Sequence, residues 1–194
     1  MRYLLFYKPF EVMSSFTDSE GRKTLSDFID VKDVYSAGRL DYDSEGLLLL
    51  TDDGEIIHRL TDPKFDHPKT YLVQVEGAPD EKALQRLREG VTLRGEKMKP
   101  TEVEVVDKPP VPFRKVRDYH PTTWLKMILR EGKKRQLRRT TAAVGLPCLR
   151  LVRVSIGPLV LGSLQPGQWR WVTSGEKQRL LKLAGLKKET TPVS

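Results

Sequence analysis

Six carboxylates crowd the stretch from Gly38 to His58, at Asp41, Asp43, Glu45, Asp52, Asp53 and Glu55, against one arginine, Arg39. Within it, Gly38-Arg-Leu-Asp41-Tyr-Asp-Ser-Glu-Gly46 is a glycine-bounded turn with a carboxylate at its apex, and the apolar strand Leu47 to Thr51 follows directly. A rigid strand behind a turn holds a side chain in one place, which catalytic geometry demands. A carboxylate held this way can attack as a nucleophile, stabilise a developing cation or help move a proton. The Asp41 and Asp43 pair also fits a two-carboxylate glycosidase or a metal nuclease, which needs a second, protonatable carboxylate about 5–10 Å away or divalent ligands. An acidic turn that merely stays hydrated is the plain alternative.

The opposite charge lies elsewhere in the chain. Lysine and arginine exceed acidic residues by 34 to 26, and Phe113 to Arg139 carries ten of the basic residues and only Asp118 and Glu131 as acids. That segment alone accounts for the net charge of +8. A solvated basic face would explain it, but the local pattern is more specific. The run from Gly132 to Gly145 predicts a helix starting near Lys133 or Lys134 and ending at Gly145, with Pro147 beyond it. Lys133, Lys134 and Arg135 would then crowd a helix N-terminus, where each cation opposes the macrodipole by about 0.3–1 kcal/mol. An arriving anion reverses that sign, so phosphate, and hence nucleic acid, becomes the expected partner. A non-catalytic RNA-binding or assembly factor would need this helix but not Asp41.

The elements that must position these groups follow from composition and periodicity. A chain of 194 residues suffices for one compact domain of two lobes. Strands are expected at Tyr3 to Tyr7, Val34 to Leu40, Leu47 to Thr51, Lys69 to Gly77, Thr101 to Val106, Trp124 to Leu129, Leu149 to Ile156 and Gln168 to Thr173. Helices are expected from Thr24, capped by that threonine, from Asp53 to Leu60, from Asp80 to Glu89 and from Glu176 to Ala184. Residues 107 to 121 hold four prolines and no periodicity, and predict a long, mobile loop. Short turns join several strands, so the class is α+β, with a mixed or antiparallel central sheet and flanking helices. A disordered tail is expected at 187–194.

Exclusions narrow the chemistry. The one cysteine, Cys148, and three scattered histidines, His58, His67 and His120, make no cysteine–histidine metal cluster, and no glycine loop would cradle a nucleotide. The longest apolar run, Tyr3 to Tyr7, is too short for a membrane span or a signal-peptide core. No cofactor, metal or membrane partner is expected, and a cytoplasmic monomer is.

Four ordered motifs then carry a resemblance. Gly38-Arg-Leu-Asp41 with Gly46-Leu-Leu-Leu-Leu-Thr51 and Asp53-Gly54, Lys8-Pro9, Lys69-Thr-Tyr71-Leu-Val-Gln-Val-Glu-Gly77, and Glu131-Gly-Lys-Lys-Arg-Gln-Leu-Arg-Arg139 resemble the ribosomal small-subunit type family of pseudouridine synthases. Leu151-Val-Arg153 and Gly167-Gln-Trp-Arg170 continue it, so the resemblance spans about residues 2 to 173. Gly21-Arg-Lys-Thr-Leu25 and Pro121-Thr-Thr-Trp-Leu125 are most similar to large-subunit members, which implies 23S rRNA as partner. The fold implied is the pseudouridine synthase catalytic fold over residues 1–186, two lobes (about 1–66 and 67–186) around a cleft, without the N-terminal S4 module that many members carry.

The same resemblance implies roles. Asp41 is the required carboxylate, Arg138 its paired cation, and Tyr71 the ring that stacks on a flipped uracil. Arg39 braces the gap the base leaves, and Leu151 packs against it. Lys8, Lys133, Lys134, Arg135, Arg139 and Arg153 would hold phosphates. The reaction breaks the N1–C1′ bond of uridine, turns the base and rejoins it through C5, so nothing is oxidised and no cofactor is consumed.

Overall fold

The computed structural model describes residues 1–186; the tail expected at 187–194 lies outside them. Two adjacent apolar strands form the centre of the protein. Strand β1 (Tyr3–Lys8) pairs antiparallel with β3 (Glu45–Thr51), and every residue of both is buried. Burial on both faces explains the uninterrupted leucines of β3. Leu48 and Leu50 join one core with Leu4, Phe6, Val73 and Leu125, while Leu47 and Leu49 join another with Tyr3, Leu5, Ile56 and Leu180. The two-residue strand β2 (Tyr35–Ser36) also pairs with β3.

Strand β4 (Lys69–Glu76) alternates buried Tyr71, Val73 and Val75 with half-buried neighbours, as its period of two predicts. After the minor hairpin β5 (Thr92–Leu93) and β6 (Glu96–Lys97) come β7 (Glu102–Val106) and β8 (Thr122–Leu129). Strand β9 (Cys148–Ile156), β10 (Leu159–Val160) and β11 (Trp169–Trp171) complete a mixed sheet of order β11-β1-β3-β9-β4-β8-β7. Its β3–β9 contact is parallel, and the remaining pairs are antiparallel.

This topology interleaves the two halves of the chain. β9 lies between β3 and β4, and β11 returns to the far side of β1, so no break in the sheet corresponds to residue 66. The β3–β9 junction needs Gly46, whose φ is +108° and whose missing Cβ would stand 2.2 Å from the Arg153 carbonyl oxygen. A side chain there would push apart the two strands that flank the acidic turn.

The helices are α1 (Gly54–Thr61), α2 (Glu81–Glu89), α3 (Gln136–Ala143) and α4 (Ser174–Leu183). Asp53 caps α1, Asp80 caps α2 and Thr173 forms a capping box with Glu176 at α4, as their residue types predict. Thr24 does the same for a single 3-10 turn at Leu25–Asp27 rather than for an α-helix. Among the described residues no helix is long and apolar enough to cross a membrane.

Residues 107 to 121 contain no helix or strand, as expected, yet they are tethered. Arg114 pairs with Glu45 at 3.1 Å and lies 3.9 Å over the Phe10 ring, and Arg117 pairs with Glu76 at 2.7 Å. Glu45 is 3% exposed and takes two further bonds of 2.9 Å from the buried Arg150. The mobile loop predicted from proline content is thus anchored by a charged network that no local pattern displays.

Candidate active site

The turn that carries Asp41 is held from below. The Ser14 hydroxyl donates to the Leu40 carbonyl at 2.6 Å and accepts from the Leu40 amide at 3.0 Å. The Ser44 amide donates to the Asp41 carbonyl, and the Glu11 amide to that of Tyr42. Ser14 is buried and distant in sequence, so nothing in the motif announces it. With both polar groups of Leu40 occupied, the next residue can move little.

A cleft of about 460 Å³ opens over this turn. Its walls include Arg39 and Asp41 from the turn, Tyr71 and Lys69 from β4, Leu151 and Arg153 from β9, and Lys133 to Arg138 from the segment that ends in α3. Residues from four separate parts of the chain therefore meet at one opening, because β9 lies between β3 and β4. Asp41, Arg138, Tyr71, Arg39 and Leu151, all singled out from the sequence, share it.

The pairing inside the cleft differs from expectation. Arg138 does not hold Asp41: it donates to the Asp43 carbonyl at 2.6 Å, and its Nε stands 3.5 Å from the Asp43 carboxylate. Arg135 instead forms a two-pronged pair with Asp43, 2.9 Å to each oxygen, and approaches Asp41 at 3.6 Å. The hydrogen bond from Arg135, ahead of the two nearby guanidinium charges, holds the Asp43 carboxyl below the usual carboxylate range. Asp43 is the anchor of the turn, and half-buried Asp41 faces the cleft with no hydrogen bond to its carboxylate among the described residues. Two residues share one motif, and only the fold tells which of them is clamped.

The basic helix also starts later than its sequence suggests. Arg135 has φ 52°, a left-handed conformation, and stands as the N-cap of α3 with no side-chain cap. Lys133 and Lys134 lie in the preceding loop. Buried Glu131 organises that loop by accepting from the Gln136 side-chain amide and from the Lys99 backbone, each at 2.7 Å. Lys133 pairs with Glu96 and faces Glu131 at 3.7 Å. The anion that the cationic start of the helix requires is the Asp43 carboxylate, supplied by the chain itself.

The other expected phosphate contacts divide by burial. Lys134 is exposed at the cleft, as is Arg39, expected instead to brace the vacated gap, and half-buried Arg139 lies on α3. Lys8 has no exposed surface: its amine donates to the Pro9 and Val12 carbonyls at 2.8 and 2.7 Å. Burial, only partly opposed by Glu45, Asp43 and Asp41, pushes its pKa down to about 7. Arg153 is 2% exposed and donates through Nε to the Leu47 carbonyl at 2.8 Å. Lys8 is closed off from the cleft and Arg153 meets it only as a buried floor residue, so neither is placed on a hydrated RNA backbone.

Two-carboxylate chemistry finds no acid here. Asp43 is held ionised by two arginines, and Glu45 is buried among Arg114 and Arg150. Asp43, held below the usual carboxylate range, is unsuited to donate a proton, and Glu45 is tied up by its two arginines. One open carboxylate in a cationic cleft is the arrangement present.

Comparison with known proteins gives this arrangement its context. A family described as RNA pseudouridylate synthase matches residues 2–143. A ribosomal large subunit pseudouridine synthase E from Vibrio parahaemolyticus is 53% identical over 173 residues, covering 87% of this chain and 73% of that relative. One of the same name from Xanthomonas campestris is 52% identical, over 86% of this chain and 93% of its own length. A solved structure titled as a pseudouridylate synthase superposes with a TM-score of 0.79 at 34% identity, covering 92% of this chain and 73% of that one. Human RNA pseudouridylate synthase domain containing 1, at 15% identity and a TM-score of 0.55, shares the fold. The family match over residues 2–143 and the relatives at 52–53% identity identify the enzyme class: the protein belongs to the RNA pseudouridylate synthase family and is an RNA pseudouridine synthase.

Proposed function

We propose that the protein converts a uridine of 23S ribosomal RNA to pseudouridine, in the cytoplasm and without a cofactor, with Asp41 as the required carboxylate. The observation that carries this reading is the open carboxylate of Asp41 in a cleft walled by Tyr71, Leu151, Arg135 and Arg138. The large-subunit names of the relatives from Vibrio and Xanthomonas support the choice of RNA.

The chemistry follows from these side chains. The target nucleotide must leave its stack, which costs a few kcal/mol. Exposed Arg39, two residues from Asp41, is suited to fill the gap, while Tyr71 and Leu151 supply a flat and an apolar surface for the base. Asp41 then meets a sugar that gains oxocarbenium character as the N1–C1′ bond breaks, and stabilises it by charge or by a covalent bond. The base turns, C5 bonds to C1′, the C5 proton departs and N1 gains one. Lys134 and Arg139 hold neighbouring phosphates.

Pseudouridine mapping of 23S rRNA tests the proposal, in cells with and without the gene and in cells complemented by Asp41→Asn. One site should vanish with the gene and return with wild type but not with Asp41→Asn. An unchanged map without the gene overturns the choice of 23S rRNA, and rescue by Asp41→Asn overturns the role of Asp41.

A further inference from the structure

Strand β4 presents Lys69 and Tyr71 to the cleft, and β9 presents Arg153, whose Cα is the register partner of Tyr71. Arg153 is nine-tenths buried and more, and only its Nε finds an acceptor. Its Nη2 is buried with no hydrogen-bond partner among the described residues. Lys69 is half-buried at the same cleft, and its side chain makes no hydrogen bond or ion pair among the described residues. Burial first, and then the Arg153 guanidinium, push the Lys69 amine down to about 8. Asp43 is taken up by Arg135 and Arg138 and Glu45 by Arg114 and Arg150, while Asp41, at the same cleft, pairs with neither Lys69 nor Arg153.

Two neighbouring cations with no counter-anion oppose folding, and an orphaned buried donor adds to the penalty. Such an arrangement is characteristic of a site that meets its anion only in function. RNA offers two candidates. The phosphate of a flipped nucleotide is hydrated and lies outside the ribose, whereas Arg153 is buried at the floor beside Tyr71. The other candidate arises during the reaction itself: cleavage of N1–C1′ leaves the bonding pair on the uracil, where it delocalises onto O2 and O4.

We propose that Lys69 and Arg153 form an anion subsite for the detached uracil, donating to its carbonyl oxygens between cleavage and reattachment. The inference rests on the pseudouridine reading above and deepens it. The donors match where charge develops and not the neutral substrate, so they lower the barrier and retain the base while it turns. When C5 attacks C1′ the ring returns its electron pair to the new C–C bond, the C5 proton is lost and N1 is protonated. Lys69 and Arg153 remain charged throughout, and no co-reactant is consumed.

The test compares wild type, Lys69→Met, Lys69→Gln and Lys69→Arg on unmodified 23S rRNA, reading single-turnover pseudouridine formation and rRNA affinity separately. Loss of one such donor lowers the rate by about 100-fold or more, so Lys69→Met and Lys69→Gln should fall that far while Kd changes less than about three-fold. Lys69→Arg should recover to within about ten-fold of wild type. Two neutral replacements guard against misfolding of either, and thermal melting checks both. Rates within about three-fold of wild type in the neutral variants overturn the subsite. So does a loss confined to Kd with a shallower salt dependence, which marks a phosphate contact. Failure of wild type itself to modify 23S rRNA would instead sink the underlying functional reading.

Discussion

Arg135 grips both oxygens of Asp43 at 2.9 Å and stands 3.6 Å from Asp41, so one guanidinium ties the start of α3 to the acidic turn and leaves the other carboxylate open. Asp43 is therefore a positioning residue whose removal acts through its neighbour. Asp43→Asn keeps the shape but weakens the grip on Arg135 and Arg138. Displacement of a catalytic group by about 1 Å can cost 100-fold, so pseudouridine formation should slow about 10- to 100-fold with rRNA Kd nearly unchanged. Single-turnover kinetics beside a binding titration checks this; a full-rate Asp43→Asn enzyme would show that the grip has no bearing on Asp41.

Burial separates the lysines that can touch RNA from those that cannot. Lys134 is exposed at the cleft, and Lys134→Ala should reduce the slope of log Kd against log salt by about one unit. Lys8, which has no exposed surface, should leave that slope intact when changed to Met. The same salt titration on both variants decides, and a flattened slope in Lys8→Met would mean that β1 opens on binding.

Lys8 also gives a pH signature. Its pKa is about 7 in the fold and near the ordinary lysine value of about 10.4 when unfolded. Between those values the unfolded chain binds more protons, so stability should rise with pH across that window. Urea unfolding at pH 7 and pH 9.5 should credit wild type with about 3 kcal/mol more gain than Lys8→Met. Equal gains would place the Lys8 amine in water.

Gly46→Ala tests the junction of β3 and β9. Its φ of +108° and the 2.2 Å approach to the Arg153 carbonyl combine strain with a backbone clash, for a loss of about 3 kcal/mol or more. Because the junction also aligns Asp41 with Arg153, activity should fall in the surviving folded fraction. A variant with unchanged melting temperature and rate would remove Gly46 from that role.

Much of the architecture was readable from local patterns. The alternation in Lys69 to Glu76, the leucine run of β3 and the Asp53 cap of α1 specify their elements because the signals are short-range, whereas Thr173, expected to end a strand, caps α4. The strand pairing was less accessible, since β9 inserts between β3 and β4 from about a hundred residues away. The start of α3 falls later than its residue types imply for a similar reason: Glu131, Gln136 and Lys99 brace the loop before it.

Residue types along the chain established which groups were available for chemistry: one motif rich in carboxylate, one segment rich in cations, and the family both belong to. Their division of labour came from three-dimensional packing. Arg135 rather than Arg138 approaches Asp41, Asp43 absorbs the clamp, and Lys8 and Arg153 sink out of reach of RNA phosphate. Charge and hydrogen-bonding capacity are properties of a residue alone, whereas burial and pairing depend on which distant strands become neighbours, and those neighbours determine which charges remain free to act.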